Sequence, residues 1–402
     1  MRRKKLPVDQ LAPGMYVAEL DRPWTDTPFA FQGFVLRTDA QMDALRQYCK
    51  AVWIDLDRDE SADASRDASM AVTPLQGLHR VAWAETAPIE QEMARARDVY
   101  FSAETAVASA LGSLVKGSAI DVPGLKEEVT RITESVLRNP HAVALLATMR
   151  EGSEFLVDRA MTTSVYLIVF ARFLGMDRAD IERAGMVGLL QDVAMAELPP
   201  ALTLKQGVLA PREVALVRGH VERGVAQIAG MKGLGPEVAE LVGMHHERHD
   251  GSGYPKGLKG AQIATIAACS ALVDTYSAMT RPRPYAEPIP PSKVLGILHR
   301  WRGKAFHVTL VDEFIRCMGA FPVGSVVELN SGEVGIVVSQ DSAKRLQPRV
   351  MVVRDAKGNP LRPQKMLDLS RGPRASADEV YRIRRTLEYG RADVDVRDLA
   401  LS

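Results

Sequence analysis

His245-His246-Glu247-Arg248-His249-Asp250-Gly251-Ser252-Gly253-Tyr254-Pro255 places three histidines, two carboxylates and two glycines within eleven residues. Glycine tolerates positive φ and proline fixes its own φ, so residues 251–255 read as a loop. Together with His220, the stretch holds four of the eight histidines of the chain. Imidazole nitrogens and carboxylate oxygens are common ligands for borderline divalent metals. Successive side chains on a helix diverge by ~100°, so His245 and His246 reach one ion only at a helix end or with different neighbours. The residues alone admit two readings: a metal or phosphate site, or a polar helix end followed by a turn.

The text around this stretch is helical from about 150 to 320. Residues 157–175 are apolar nearly all round, which predicts a central buried helix; Asp177 is placed to cap the next, running through Ile181, Met186 and Leu189 towards Asp192. Upstream, Tyr100, Ala103, Val107, Leu111 and Leu114, and then Leu125, Val129, Ile132 and Val136, recur at helical spacing, so 79–149 reads as a helical connector. Residues 1–60 read as a β-rich module, with Gly14-Met15-Tyr16-Val17 entering a strand, Phe29, Phe31 and Phe34 supplying apolar positions, and Ala51-Val52-Trp53-Ile54-Asp55 forming a second strand. Residues 61–78 continue a stretch poor in apolar residues and read as a linker. Past Phe321-Pro322, short β-branched runs separated by Asn330-Ser331-Gly332 and Lys357-Gly358-Asn359-Pro360 predict a β extension over 321–370. Residues 371–402 form a charged tail with one predicted helix over 379–387. The expected fold class is mainly α.

Composition narrows the function classes. The chain has 402 residues, 46% hydrophobic and 25% charged, and 51 Lys and Arg against 50 Asp and Glu give a net charge of +1. That balance carries no electrostatic footprint for generic DNA binding. Three scattered cysteines (Cys49, Cys269, Cys317) make no disulfide framework, and Cys269, in an apolar run, reads as a buried small hydrophobe. The run 165–170 is too short to cross a membrane, and the basic start is followed by Leu6-Pro7-Val8-Asp9 rather than an apolar signal core. A cytoplasmic location is expected.

The quoted stretch, with Lys256-Gly257-Leu258-Lys259-Gly260 after it, resembles the signature of HD-GYP domains, bacterial members of the HD metal-dependent phosphohydrolase superfamily. The resemblance runs over about 150–320. It includes Leu189-Leu190-Gln191-Asp192, Leu204-Lys205-Gln206-Gly207 with Leu209, Val273-Asp274-Thr275-Tyr276-Ser277-Ala278-Met279-Thr280, and Arg283-Pro284-Tyr285. Gly14-Met15-Tyr16-Val17, Arg22-Pro23-Trp24 and Pro28-Phe29 are similar to the uncharacterised module that often precedes such domains. The resemblance implies an HD-type helical bundle acting on cyclic di-GMP, with two or three iron or manganese ions bridging the attacking hydroxide. It assigns metal ligation to Asp192, His220, His245, His246 and Asp274, with Asp192 central to catalysis. Gly253, Tyr254 and Pro255 would lie over the nucleotide, and Lys205 and Lys256 are candidates for its phosphate.

Three positions depart from the family pattern. Arg159 stands where the first histidine is expected, Gln191 replaces the histidine of the His-Asp pair, and Met195 replaces a lysine thought to steady the phosphate. Phe155 stands where some members carry a further carboxylate. A guanidinium is permanently protonated and has no lone pair to give a metal, and an amide oxygen is a poor substitute for imidazole. One metal position keeps only Asp192 and Asp274; the other keeps Asp192, His220, His245 and His246. The expectation is one occupied metal site at most, with Arg159 supplying fixed positive charge as a salt-bridge partner of Asp192. The reading is a degenerate HD-GYP protein that binds cyclic di-GMP with weak or no hydrolysis, its partners including diguanylate cyclases or motility proteins. The alternatives are an active phosphodiesterase and a one-metal hydrolase of another phosphoester. Arg281 and Arg283 are expected to be solvated loop charges.

Overall fold

The computed structural model describes residues 3–21, 34–36, 39–55, 81–149, 155–205, 207, 209–281, 288–341, 344–387, 394 and 399. The first compact unit holds β1 (Arg3–Pro7), β2 (Tyr16–Leu20), β3 (Phe34–Val35), α1 (Asp39–Tyr48) and β4 (Ala51–Asp55). Its antiparallel sheet has the order β1-β4-β2-β3. Val17, Leu20, Leu36, Leu45, Val52 and Ile54 form its core, with Val52 and Ile54 at alternate positions of β4 and Leu45 supplied by α1. Both predicted strands are present, as β2 and β4. Phe29, Phe31, Trp24 and the predicted linker lie outside the described residues.

The second unit is helical and closes with a sheet. Its first helices are α2 (Ile89–Val115), α3 (Val122–Arg138), α4 (Pro140–Met149), α5 (Phe155–Phe173) and α6 (Arg178–Leu190). The sequence set 79–149 apart as a connector, but α2, α3 and α4 pack directly on α5, and α3 also on α6, in one bundle. The carboxylate of Asp177 accepts a hydrogen bond from Asp180 N at 2.8 Å, capping α6 as expected. α5 is buried on all sides, Val165, Leu167, Ile168 and Phe170 being fully enclosed, as its uniformly apolar text predicts. It crosses α6 closely: a Cβ at Gly188 would stand 2.5 Å from the Ser164 Cα. That backbone approach brings the start of α5 and the end of α6 together at the site.

The remaining helices are α7 (Pro200–Thr203), α8 (Pro211–Arg218), α9 (His220–Ala229), α10 (Pro236–Val242), α11 (Thr265–Thr280), α12 (Pro291–Trp301) and α13 (Val308–Met318). No helix among the described residues is long and apolar enough to cross a membrane.

The sheet contains β5 (Val326–Leu329), β6 (Val334–Ser339), β7 (Arg349–Arg354), β8 (Pro360–Asp368) and β9 (Ile383–Thr386), in the antiparallel order β8-β7-β6-β5-β9. The strand β9 corrects the helix predicted over 379–387 and carries the sheet past residue 370. Tyr381 and Ile383, two apart, both bury into the sheet core, which is a strand period. Leu329 pairs with Ile383 across β5, and Arg384 and Arg385 both ion-pair with Glu328. Long-range pairing overrode local charge patterning.

Candidate metal and nucleotide site

Five elements converge on one buried cluster. α5 supplies Arg159, the C-terminal end of α6 supplies Gln191 and Asp192, α9 opens with His220, the turn after α10 carries His245 and His246, and α11 supplies Asp274. The geometric obstacle noted for adjacent histidines is resolved by that turn. Residues 243–246 have left the α-helix, and the two imidazole centroids lie only 4.1 Å apart.

One half of the cluster has the chemistry of a metal site. Ligand atoms of Asp192, His220, His245 and His246 all lie within 4.8 Å of one another. The Nδ1 of His220 is 2.6 Å from the Val217 carbonyl, and that of His245 is 2.6 Å from the Val242 carbonyl. A carbonyl only accepts, so both Nδ1 atoms carry the proton and both Nε2 atoms present lone pairs. Those two Nε2 atoms are 3.2 Å apart, and the Nε2 of His220 is 3.4 Å from Asp192 Oδ1. Burial lowers the pKa of His245, and burial with the neighbouring imidazoles lowers that of His246, so both rings stay neutral. Facing lone pairs beside a carboxylate fit one divalent cation, held by Asp192, His220, His245 and His246. When bound, such an ion supplies Lewis acidity towards a phosphate oxygen or a water.

The other half does not fit a metal. Arg159 Nε donates to Asp192 Oδ2 at 2.5 Å and its Nη2 to Asp274 Oδ1 at 2.8 Å. Gln191 turns its amide nitrogen on the same carboxylates, 3.2 Å from Asp274 Oδ1, while its oxygen accepts from the Ser270 hydroxyl. The space between the two aspartates is therefore lined with N–H donors already satisfied by carboxylate oxygens. Burial would raise the Asp192 carboxyl, but the Arg159 guanidinium beside it outweighs that and holds it below the usual carboxylate range. Arg159 pairs with Asp192 as expected, and with Asp274 in addition.

The Gly-Tyr-Pro loop folds back over its own helix end. A Cβ at Gly253 would stand 2.5 Å from Glu247 Cα and 2.4 Å from Arg248 N, so the fold requires glycine there. Tyr254 stacks on His246 with centroids 4.7 Å apart, and the Arg218 guanidinium lies 4.8 Å from its ring centre. Burial raises its phenol pKa, keeping it neutral. Buried Glu247 anchors the loop, accepting from Lys256 N at 2.7 Å and Leu258 N at 2.9 Å. Glu247→Gln turns one acceptor into a donor facing a backbone N–H. It should lower stability by about 1–3 kcal/mol in thermal melts and loosen the loop, weakening nucleotide affinity without changing metal content.

Not every predicted residue joins the cluster. Lys205 is bound to Glu213 at 2.6 Å, the carboxylate that also caps α8 at Ala210 N. Arg281 is not a solvated loop charge: it ion-pairs with Asp158 and donates to the Ala147 carbonyl. Arg283, Tyr285 and Gln206 lie outside the described residues. Cys269 is buried, and burial raises its thiol pKa, as its apolar context predicts. The sequence reading missed Arg218, Arg248, Trp301 and Lys304, which line a cavity of about 410 Å³ with His246 and Tyr254. Cations and an aromatic bracketing Gly303 were the available signal.

The chain is similar to known proteins. Residues 144–310 match the HD domain, 326–376 the KOW domain associated with HD domain, and 3–124 a domain of unknown function (DUF3391). A cyclic di-GMP phosphodiesterase of Pseudomonas aeruginosa is 34% identical over 376 residues, covering 92% of this chain and 89% of the relative. The chain belongs to the HD-GYP family. Two further relatives match over shorter stretches. The cyclic di-GMP phosphodiesterase response regulator of Xanthomonas campestris is 32% identical over 147 residues, 36% of this chain and 39% of its own. A cyclic di-GMP phosphodiesterase of Thermotoga maritima is 30% identical over 150 residues, 36% and 40%. A solved HDG"Y"P protein from Bdellovibrio bacteriovorus aligns over 78% of this chain and 98% of its own, at 15% identity and a TM-score of 0.48.

Proposed function

We propose that this HD-GYP protein binds cyclic di-GMP as a regulatory component of that signalling system, with weak or no hydrolysis. The observation that carries the reading is the Arg159 bridge between Asp192 and Asp274. A guanidinium occupies the ground of one ion and contributes charge, but it neither lowers the pKa of a water nor opens a coordination position. The relatives named as cyclic di-GMP phosphodiesterases support the ligand class. Tyr254 over His246, with Arg218 and Arg248 in the adjoining cavity, supports an anionic, ring-bearing ligand beside the cluster. Protein contacts with diguanylate cyclases or motility proteins would be the output route of a receptor that does not consume its ligand.

The test is calorimetric titration of cyclic di-GMP into purified protein, with and without Mn²⁺, alongside chromatography of the nucleotide. Binding with negligible linear product is expected. Absence of heat at high-micromolar ligand under both conditions rules the reading out. A second reading, one-metal hydrolysis, is favoured by the intact Asp192, His220, His245 and His246 set; it requires Mn²⁺-dependent linear product that disappears in His245→Ala.

A further inference from the structure

We infer that Trp301 is the stacking platform for a purine base of the bound nucleotide, in the cavity that adjoins the histidine cluster; this rests on the binding proposed above. Three aromatic residues line that cavity: Tyr254, Trp301 and Phe306. Two are already engaged. The Tyr254 ring is stacked by His246 and overlaid by the Arg218 guanidinium. Phe306 is buried, with the Arg248 guanidinium 5.3 Å from its ring centre. Trp301, the last residue of α12, is 41% exposed, and its one ring contact among the described residues is a loose one, with Phe306, at 6.4 Å between centroids. Its exposed indole lines a cavity of about 410 Å³, within the range of small-ligand sites.

The chemistry around it selects the ligand class. Among the described lining residues, Arg218, Arg248 and Lys304 supply three cations against the one carboxylate of Asp250. That carboxylate is occupied by the backbone and hydroxyl of Ser252 at 2.9 and 2.6 Å. Lys304 sits in the turn that leaves α12, its backbone N–H donating to the Trp301 carbonyl at 3.2 Å, so platform and cation move as one piece. A flat π surface with a cation three residues away suits a base stacked on the indole and its phosphate directed to the cationic side. His246 lines the same cavity, so a dinucleotide lodged here reaches the cluster with its other half.

The test uses the full-length chain and cyclic di-GMP. Trp301→Ala should weaken binding about ten- to hundredfold by calorimetry, with metal content unchanged, whereas Trp301→Phe, which keeps a stacking face, should stay within about threefold of wild type. Nucleotide should quench the intrinsic fluorescence of the wild type, and that quenching should be largely lost in Trp301→Phe although it still binds. If the wild type binds while Trp301→Ala binds equally well, the platform is wrong and the receptor reading stands. If the wild type itself does not bind, both fall.

Discussion

Purified wild-type protein will carry one divalent ion per chain or none, whereas the triple variant Arg159→His, Gln191→His, Met195→Lys will carry close to two and hydrolyse cyclic di-GMP about a thousandfold faster. The wild-type expectation follows from the donor set. Asp192 Oδ2 and Asp274 Oδ1, one oxygen of each carboxylate, already accept from Arg159 at 2.5 and 2.8 Å. Displacing that guanidinium would expose a fixed charge beside the incoming dication, which no metal affinity of ordinary strength offsets. Reversion of Arg159 alone should fail, because Ser270 holds the Gln191 carbonyl and leaves its amide N–H groups directed at the same carboxylates. All three positions must change before imidazole lone pairs and a phosphate-facing ammonium coexist. Metal analysis by mass spectrometry checks both chains. Two ions in the wild type, or rapid turnover by it, would show that the arginine yields to metal and would end the argument.

The second large effect is on stability. Arg159→Leu, held in chelator, should lose about 3–5 kcal/mol at pH 7, because breaking a buried ion pair strands the partner charges; here Asp192 and Asp274 are both buried. A pH dependence absent from the wild-type Asp192 contribution between pH 7 and 5 should appear. In the wild type the Asp192 carboxyl lies below its ordinary value, so the folded state binds fewer protons than the unfolded chain there. Its contribution is fully present above the unfolded carboxylate pKa of about 3.9 and is lost as pH falls further towards the folded value. Without Arg159 burial dominates and raises that carboxyl, so the variant should grow more stable as pH falls from 7 towards 5. Denaturant melts across that window read the sign directly. A variant as stable as wild type at pH 7 would mean the bridge contributes nothing.

The helices and ligand types were legible in one dimension because each rests on local chemistry. Apolar text on every face of residues 157–175 leaves α5 nowhere to lie but the interior. Asp177 caps α6 through an atom three residues away. That an arginine cannot ligate a metal is a property of the side chain alone. The same locality explains the failures. β9 forms because β5 offers it a partner some fifty residues back, and nothing within residues 379–387 encodes that partner. Arg281 was misread for the same reason, its carboxylate lying on α5 at Asp158.

The family resemblance carried by the sequence named the groups expected at this site, and residue identity by itself determined which of them have no lone pair to give. Only the tertiary structure decided where the guanidinium goes: Arg159 reaches Asp192 and Asp274 across 33 and 115 residues because Gly188 lets α5 and α6 touch. It also decided which way Gln191 faces and that Trp301 lines the same cavity as His246. Those are matters of direction and distance between segments remote in sequence, and they depend on how whole helices pack.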